Sequence, residues 1–401
     1  MRPITDDEWP AYWRTISHTF HGDVHTDEFE ADRKVFELER SLAVFDGDEA
    51  VATTGIFSRD LSIPGAVVPA AHVTMVSVLA THRRRGLLNR MMRQQLRDVA
   101  DAGREPVAVL WASEEAIYGR YGYGAASWQM GIDADTREVR LPAAAPSGRL
   151  LLVTPTDTIQ ELSQVYENVR PYQPGFSSRP DEWWPHRLTD LERHRDGASG
   201  RRCVLHESTD GVTGYALYRV KGNWDQTGPN AEVRIEELVA ADPVARAELW
   251  RFLFDLDLSR RITAWALPVD EPLFHWVDAP RRLDRRYGSA LYIRVVDLPA
   301  ALAARRYAAP VDLVIEVTDD LLPDNAGRWR LTGDAEKAHC ERTTEPADLT
   351  LGIRELGAVY LGGTPLGSLA AAGLVDGRPE AVAAASAAFG WHIAPHAPEV
   401  F

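Results

Sequence analysis

The sequence predicts an α+β protein of three domains, and three observations carry this prediction. The chain has 401 residues, more than one compact domain usually holds. The order hairpin, strand, helix occurs twice, in the first part of the chain and again after about residue 200. The last hundred or so residues differ, because strands there alternate with short Ala-rich helices. We therefore predict domains over residues 1–140, 141–288 and 289–401, with a Pro/Ala-rich linker at 141–148.

The first domain opens with two predicted helices. Thr5 and Glu8 have capping-box spacing, and apolar residues recur at helical intervals from Trp9 to Phe20. A second helix is expected over residues 28–40. Two β-rich runs around Asp46-Gly47 then predict a hairpin.

The hairpin is followed by a strand, a helix and a buried strand. The run "AHVTMVSVLA" (71–80) predicts the first strand. An apolar stripe from Leu88 to Val99 predicts a helix that ends at Gly103, and "EPVAVLWAS" predicts the second strand. In the middle domain, Asp210-Gly211 predicts a second hairpin. "AEVRIEELVA" predicts the strand that follows this hairpin, and Asp242-Pro243 predicts the start of a helix.

Composition narrows the function classes. The formal net charge is −15 at pH 7, whereas a protein that binds nucleic acid needs a basic face. The charge suits a cationic substrate, and equally suits a protein that only needs to stay in solution.

Targeting and metal motifs are absent from the sequence. No stretch approaches the roughly 20 apolar residues of a membrane span, and "MRPITDDEWP" is unlike a signal peptide. Cys203 and Cys340 form no CxxC, and no HExxH occurs. We expect a cytoplasmic protein without a metal.

The stretch "VSVLATHRRRGLL" (76–88) places a basic, Gly-containing turn between a strand and a helix. The first N–H groups of such a helix lack helical partners and carry the positive end of its dipole, so they favour an anion. Arg83, Arg84 and Arg85 add charged donors, and Gly86 permits close approach of a ligand. The pattern indicates a pyrophosphate site; a solvated basic helix start is the alternative.

This turn resembles the coenzyme A loop of the GNAT N-acetyltransferase superfamily, whose (Gln/Arg)-x-x-Gly-x-(Gly/Ala) pattern is matched at Arg83 and Gly86. Leu88 departs from the small residue usual at the last position. With "SEEAIYGRYGYG" (113–124) and a terminal aromatic residue, the chain resembles the enhanced intracellular survival (Eis) family. The resemblance implies an N-terminal GNAT domain, a degenerate GNAT-like domain and a C-terminal domain similar to sterol carrier proteins.

The resemblance also implies the residues that bind the co-substrate acetyl-CoA. Pantetheine is expected along the strand, the pyrophosphate at the turn and helix start, and a further contact after the next strand. The residues are Val76, Ser77, Val78, Arg84, Arg85, Gly86, Leu87, Leu88, Asn89, Ser113 and Glu114.

Acetyl transfer to an amine needs a proton donor for the departing thiolate and an acceptor for the amine proton. Tyr118, followed by Gly122, matches the family's Tyr-x-x-x-Gly segment and is expected to be the general acid. The family resemblance assigns the general base to the C-terminal carboxylate, here on Phe401, with Glu399 as a nearby substitute. The alternatives are tyrosines that only pack the turn and a frayed terminus.

An acidic, aromatic cleft would hold a polycationic acceptor. Candidate residues are Asp27, Glu28, Glu399, Trp183 and Trp184, although such residues are also common as surface acids and core tryptophans. We expect an acetyl-CoA-dependent N-acetyltransferase for aminoglycosides, similar polyamines or lysine side chains. The resemblance also implies assembly as a hexamer. The alternative function is a carrier of an apolar ligand with a vestigial GNAT domain.

Overall fold

The computed structural model describes residues 1–142 and 147–401, so residues 143–146 of the predicted linker lie outside it. The chain forms two compact units, and neither is continuous in sequence. The first unit comprises Met1–Ser127, Ala290–Pro395 and Glu399–Phe401. The second comprises Trp128–Ser289 and His396–Pro398.

Strands and helices alternate along the whole chain. The N-terminal part contains β1 (Leu42–Asp46), β2 (Glu49–Ile63), β3 (Ala66–Val78), β4 (Val107–Trp111), β5 (Gly124–Ala125) and β6 (Trp128–Asp135), with α1 (Trp9–Thr19), α2 (Thr26–Arg33), α3 (Leu87–Ala102) and α4 (Glu115–Tyr118). The middle part contains β7 (Arg149–Val153), β8 (Arg202–Ser208), β9 (Gly211–Lys221), β10 (Trp224–Asp225), β11 (Gly228–Pro229), β12 (Ala231–Ala240), β13 (Ser259–Pro268) and β14 (Arg286–Ser289), with α5 (Ile159–Val169), α6 (Trp183–Arg187), α7 (Pro243–Phe254) and α8 (Leu273–Trp276). The C-terminal part contains β15 (Leu291–Val295), β16 (Val311–Thr318), β17 (Gly327–Gly333), β18 (Ala338–Arg342), β19 (Leu349–Gly352) and β20 (Val375–Gly377), with α9 (Leu298–Ala304), α10 (Ile353–Val359), α11 (Leu366–Ala371) and α12 (Pro379–Phe389).

The first unit contains two sheets. One has the strand order β1-β2-β3-β4-β15-β5, and the other has the order β18-β17-β16-β19-β20. Helix α3 buries Met92, Leu96 and Val99 in a core that includes Val73 of β3 and Leu110 of β4. The predicted apolar stripe therefore faces the strands that flank the basic turn.

The second unit is built on one main sheet of order β14-β6-β13-β12-β9-β8-β7. Its two faces bury alternate residues, as expected for a sheet covered on both sides. Val204 of β8 packs in a cluster with Leu249 and Trp250 of α7. Its neighbour Leu205 packs in another cluster, with Tyr166 of α5.

The two parts of the chain exchange a strand. Strand β6 follows the N-terminal part but pairs with β13 and β14 in the second unit. Strand β15 follows the middle part but pairs with β4 and β5 in the first unit. The predicted boundaries after residues 140 and 288 describe successive stretches of chain, and they stay predictions.

Local sequence patterns placed most elements. The two hairpins form at Asp46-Gly47 and Asp210-Gly211, and α3 ends at Ala102, with Gly103 as its C-cap at a φ of 63°. The helix predicted over residues 28–40 is wrong beyond Arg33, because the chain turns there and buries Phe36 against Trp9. The sequence did not predict helices α5, α6 and α8 or strands β5, β7, β10, β11, β13, β14, β18 and β20.

Candidate active site

Strands β3 and β4 separate at the point where the site begins. They pair in parallel only from Ala70–His72 to Val107–Val109. A β-bulge follows in β3, where Met75 has a φ of 53° and its carbonyl accepts a hydrogen bond from Thr53 Oγ1 at 2.8 Å. Because backbone groups alternate between the two edges of a strand, some of those in Val76–Val78 face the gap beside β4.

The side chains of Val76–Val78 contribute one polar atom, the hydroxyl oxygen of Ser77. Ser77 is buried, and its Oγ has no hydrogen-bond partner among the described residues. Val76 is half-buried against the core below α3. The segment thus combines packing side chains with backbone groups available to a ligand.

The turn after β3 presents an uncapped helix start. Arg84 and Gly86 have φ values of 63° and 76°, a left-handed geometry that turns successive N–H groups toward a common point. The first helical bond runs from Arg90 N to Gly86 O at 3.0 Å, and no side chain among the described residues caps α3. The N–H groups of residues 87–89 therefore lack helical acceptors.

The surroundings of this helix start are open and basic. Arg83, Arg84 and Arg85 are exposed, and a Cβ on Gly86 would meet nothing within 4 Å. Leu88 is half-buried against the core, whereas Asn89 is exposed and its side chain accepts a bond from Arg93. These features fit a diphosphate, which needs converging donors and free approach.

Ser113 and Glu114 lie beyond the end of β4, just before α4, and both are exposed. Since β3 and β4 are parallel neighbours, their carboxyl ends lie at the same edge of the sheet. The structure therefore brings Ser113 and Glu114 to the same edge as the turn before α3.

Tyr118 ends α4, Tyr121 and Tyr123 follow it, and all three tyrosines are buried. Burial, with a smaller effect from Tyr121, raises the pKa of Tyr118 to about 12. The ring of Tyr123 packs edge-on at 6.1 Å from that of Tyr118, and burial raises the pKa of Tyr123 as well. At neutral pH Tyr118 is therefore a phenol that holds a proton it can donate.

The C-terminal residues of the chain lie against the same strands. The ring of Phe401 contacts that of His72 at a centroid distance of 4.7 Å, and His72 is the last β3 residue paired with β4. Glu399 forms a buried ion pair with Arg59 of β2. The terminus is thus held beside the point where β3 and β4 separate.

His72 beneath Phe401 is uncharged. Its Nδ1 donates to the Ala70 carbonyl at 3.0 Å, and burial, followed by the Arg59 charge, lowers the pKa of His72 to about 3. Sequence reasoning missed Arg59, because nothing local marks a partner 340 residues away.

The predicted acceptor-binding residues are divided between the two units. Asp27 is exposed and Glu28 half-buried on α2 of the first unit, and the Asp27 carboxylate accepts from the Glu28 N–H at 3.0 Å. Trp183 and Trp184 belong to the second unit and are 7% and 1% exposed, so protein covers their rings. Glu399 is engaged by Arg59.

Neither metal centre nor membrane helix is found in the described ranges. Within residues 1–142 and 147–401, no group of three or more His, Cys, Asp or Glu side chains is arranged to hold a metal ion. Over the same ranges, no helix has the length and apolar character needed to cross a bilayer.

Models of known families match three stretches of the chain. Models described as acetyltransferase (GNAT) domain match residues 1–126 and 175–295. A sterol carrier protein domain model matches residues 298–398. The GNAT fold implies acetyl-CoA as the co-substrate, in agreement with the open, basic start of α3.

Individual relatives match over nearly their whole length. An N-acetyltransferase of Streptomyces avermitilis is 46% identical over 406 residues, covering 100% of this chain and 99% of the relative. The N-acetyltransferase Eis of Mycobacterium tuberculosis is 35% identical, with 92% of this chain and 90% of Eis covered. The crystal structure of Eis1 from Mycobacterium abscessus has a TM-score of 0.85 at 33% identity, with 100% and 99% covered.

These matches confirm the predicted α+β fold with two GNAT domains followed by a sterol-carrier-protein-like domain. They also confirm that the protein is an enzyme of the N-acetyltransferase class. The chain belongs to the Eis family of N-acetyltransferases.

Proposed function

We propose that the enzyme transfers the acetyl group of acetyl-CoA to primary amines of polycationic small molecules such as aminoglycosides, at one or several positions, or to lysine side chains. The observation that carries the proposal is the shared location of three features. The strand gap, the uncapped start of α3 and the Phe401 terminus all adjoin the segment from His72 to Gly86.

The donor-binding part of the proposal rests on backbone geometry. Pantetheine would pair with the free edge of Val76, Ser77 and Val78, in place of the missing β4 partner. The same N–H groups are suited to stabilise the oxyanion that develops at the thioester carbonyl. The pyrophosphate would bind the turn and first helical residues, with Ser113 and Glu114 as a further contact; the turn residues are Arg84, Arg85, Gly86, Leu87, Leu88 and Asn89.

Two groups would move protons in the reaction. The amine nitrogen attacks the thioester carbon, a C–N bond forms and the C–S bond breaks. Tyr118, whose pKa burial raises to about 12, supplies the proton that the thiolate leaving group takes up. The Phe401 carboxylate accepts the amine proton, directly or through water. Glu399 is a weaker candidate for this role because Arg59 already engages its carboxylate.

The negative charge of the protein supports a cationic acceptor. The net charge of −15 favours the approach of a cation. Asp27 and Glu28 on α2 are the acids that we propose contact it, whereas the covered rings of Trp183 and Trp184 are less suited to stack on a cation. A hexameric assembly and a cytoplasmic location complete the proposal, and light scattering of the purified enzyme tests the former.

The interior of the C-terminal domain weighs against the apolar-carrier alternative. The Arg305 guanidinium is fully buried between the rings of Tyr307 and Phe389, each 4.8 Å away, and donates to the Phe389 carbonyl at 2.9 Å. A buried cation that occupies the domain interior is a poor lining for an apolar ligand.

An acceptor screen tests the proposal. The enzyme is incubated with acetyl-CoA and kanamycin, spermidine or a lysine peptide, thiol release is followed, and products are identified by mass spectrometry. We expect acetylation of at least one acceptor, with the Tyr118→Phe variant as a slow control. Calorimetry with acetyl-CoA runs in parallel. Binding of acetyl-CoA without acetylation of any amine would contradict the proposed acceptor class, and absence of binding would contradict the proposed reaction.

A further inference from the structure

The second unit repeats the strand gap of the first. Strand β12 pairs in parallel with β13 only as far as Ile235 and Ala264, and a bulge then follows in β12 before Glu237. The same arrangement is found in β3 and β4, where parallel pairing ends at His72 and a bulge follows in β3. A gap of the kind that receives an extended chain therefore exists in both units.

The helix start beside the second gap is closed to an anion. Helix α7 has Asp242 as its N-cap, and the Asp242 carboxylate accepts from the N–H groups of Val244 at 2.8 Å and Ala245 at 2.9 Å. In the first unit, none of the side chains that the structure describes caps the equivalent N–H groups at α3. An internal carboxylate therefore occupies in the second unit the place that the first unit leaves open.

The second gap is filled by the chain's own tail. Residues His396–Pro398 belong to the second unit, and the His396 N–H donates to the Pro174 carbonyl at 2.8 Å. Only about 10 Å³ of space remains between β12, β13, Arg246 and the tail residues His396 and Pro398. That space holds no more than about one water molecule.

The walls of the gap suit an uncharged tail. Arg246 pairs with Glu271, with Nε to Oε1 at 2.8 Å, and Glu237 pairs with Arg179. Burial lowers the pKa of His396 to about 3, so its ring is neutral and contacts that of Phe176 at 5.9 Å. Arg246 and Glu237, which line the gap, are therefore each paired with an opposite charge, and His396–Pro398 brings no further charge.

The tail leaves no room for a side chain at Gly175. Gly175 has a φ of 95°, and a Cβ there would lie 2.6 Å from the His396 carbonyl oxygen. A methyl group cannot fit at that distance from backbone, so the loop must leave room for the tail main chain. The three residues after Pro398 belong to the first unit and end on the ring contact between Phe401 and His72.

We propose that the β12–β13 gap of the second unit is a binding site for residues 396–398 of the tail, and that Gly175 and His396 are positioning residues for the terminal carboxylate. The positioning role rests on the proposed function of Phe401 as general base; the binding site does not. The second unit would then use a gap of the donor-binding type to fix a part of the catalytic machinery.

The test compares Gly175→Ala with Gly211→Ala in the full-length enzyme. Gly211 has a similar φ of 110°, but a Cβ there would meet nothing within 4 Å. Hydrogen exchange of the 394–401 segment, which needs no activity, reports on the tail. We expect faster exchange in Gly175→Ala and unchanged exchange in Gly211→Ala. An unchanged tail in Gly175→Ala would overturn the binding site.

Kinetics of the same variants test the positioning role. We expect kcat of Gly175→Ala to fall roughly 10- to 100-fold with the acetyl-CoA KM within about twofold, since small misplacements of a reacting group have effects of this size. The deficit should shrink near pH 10, where the amine is deprotonated without a base. Tail release with an unchanged kcat, or a deficit equal at every pH, would overturn positioning.

A second variant, His396→Ala, keeps the proposal testable if Gly175→Ala does not fold. His396→Ala removes the ring from the gap but keeps the backbone N–H that binds Pro174. We expect intermediate effects on tail exchange and kcat, and thermal melting confirms folding. A wild-type enzyme that acetylates no amine would contradict the proposed function. The hydrogen-exchange data would still show whether residues 396–398 bind in the β12–β13 gap.

Discussion

Tyr118 and His72 have opposite chemistry, but burial keeps both in their neutral forms. Burial raises the pKa of Tyr118 to about 12, so the phenol retains its proton at neutral pH. Burial lowers the pKa of His72 to about 3, so the imidazole beneath Phe401 carries no charge there. The nearby charged side chains of Arg59 and Glu399 pair with each other. Among these groups, the Tyr118 phenol is the proton donor that the proposed reaction requires.

Tyr118→Phe should lower kcat roughly 100-fold, the contribution typical of a general acid, with little change in the affinity for acetyl-CoA. Phenylalanine keeps the ring that packs against Tyr123 and removes only the hydroxyl. Steady-state kinetics and calorimetry measure the two quantities. Tyr121→Phe is the matched control, and we expect it to keep most of the activity. Full activity in Tyr118→Phe would remove this residue from the mechanism.

His72 should make the protein sensitive to acid. Its folded pKa of about 3 lies below the ordinary value of 6.5, so the unfolded chain binds a proton in this window that the native protein does not. Stability is therefore lost as the pH falls from 6.5 toward 3, by at most about 1.4 kcal/mol per pH unit. The charges that act on His72 are those of Arg59, Glu399 and Arg40. In the native protein Arg59 pairs with Glu399, and Arg40 pairs with Glu105.

The variant His72→Asn tests this sensitivity. Its amide can replace the Nδ1 donor to Ala70. We expect the melting temperature to fall less steeply with decreasing pH in the variant than in the wild type, although the variant starts lower because the ring under Phe401 is lost. Equal slopes for the two proteins would contradict a neutral His72.

Single residues were partly predictable. The Tyr-x-x-x-Gly spacing selected Tyr118 from three neighbouring tyrosines, and the assignment of its role stays a prediction. The sequence could not pair Arg59 with Glu399, since the two are 340 residues apart and neither has a local marker. Likewise, the bulge at Met75 depends on its pairing with β2, which its own sequence does not encode.

At the scale of elements, α3 and α7 begin in contrasting ways after similar strands. The turn before α3 has left-handed Arg84 and Gly86 and no cap. Helix α7 has Asp242 and Pro243, and its first N–H groups are satisfied internally. Similar strand–helix units are thus open or closed to an anionic ligand according to their N-cap residue.

Gly86→Ala should weaken acetyl-CoA binding about tenfold. The left-handed φ of 76° is unfavourable for alanine by about 1 kcal/mol, and its methyl group enters the open side of the turn. Gly103→Ala is the control at the opposite end of α3, with a φ of 63° and equally open surroundings. Both variants should melt at similar temperatures. Equal acetyl-CoA dissociation constants in the two variants would contradict a ligand at Gly86.

Elements defined by local patterns were predicted well, because a hairpin or a helix cap is encoded within a few residues. Strand β12 was predicted over its full length, and both Asp-Gly hairpins formed. The sheet that a strand joins is not encoded locally, so the exchange of β6 and β15 could not be foreseen. The helix expected to reach residue 40 ends at Arg33, since burial of Phe36 among aromatic rings outweighs helical propensity.

The molecule as a whole distributes the proposed catalytic parts along the chain. The strand gap and Tyr118 come from the N-terminal part, and Phe401 comes from the other end of the sequence. The tail contributes residues to both units: His396–Pro398 to the second and Glu399–Phe401 to the first. A change at the C-terminus should therefore affect catalysis more than a change at the N-terminus.

Extending the chain by a few residues after Phe401 should lower kcat far more than a tag before Met1. The extension replaces the proposed carboxylate with a peptide bond, which cannot accept the amine proton. Intact mass spectrometry verifies that the reference protein ends at Phe401, and the two tagged proteins are compared at equal acetyl-CoA saturation. Equal activity of the tagged proteins would contradict a terminal base.

The proposed reaction depends most on the binding of a diphosphate by the start of α3, and a crystal structure with acetyl-CoA tests this binding directly. We predict the pyrophosphate at the N–H groups of residues 87–89 beside Arg84 and Gly86, with pantetheine along Val76–Val78. A bound acetyl-CoA elsewhere on the molecule, or a helix start still empty at saturating concentration, would contradict it.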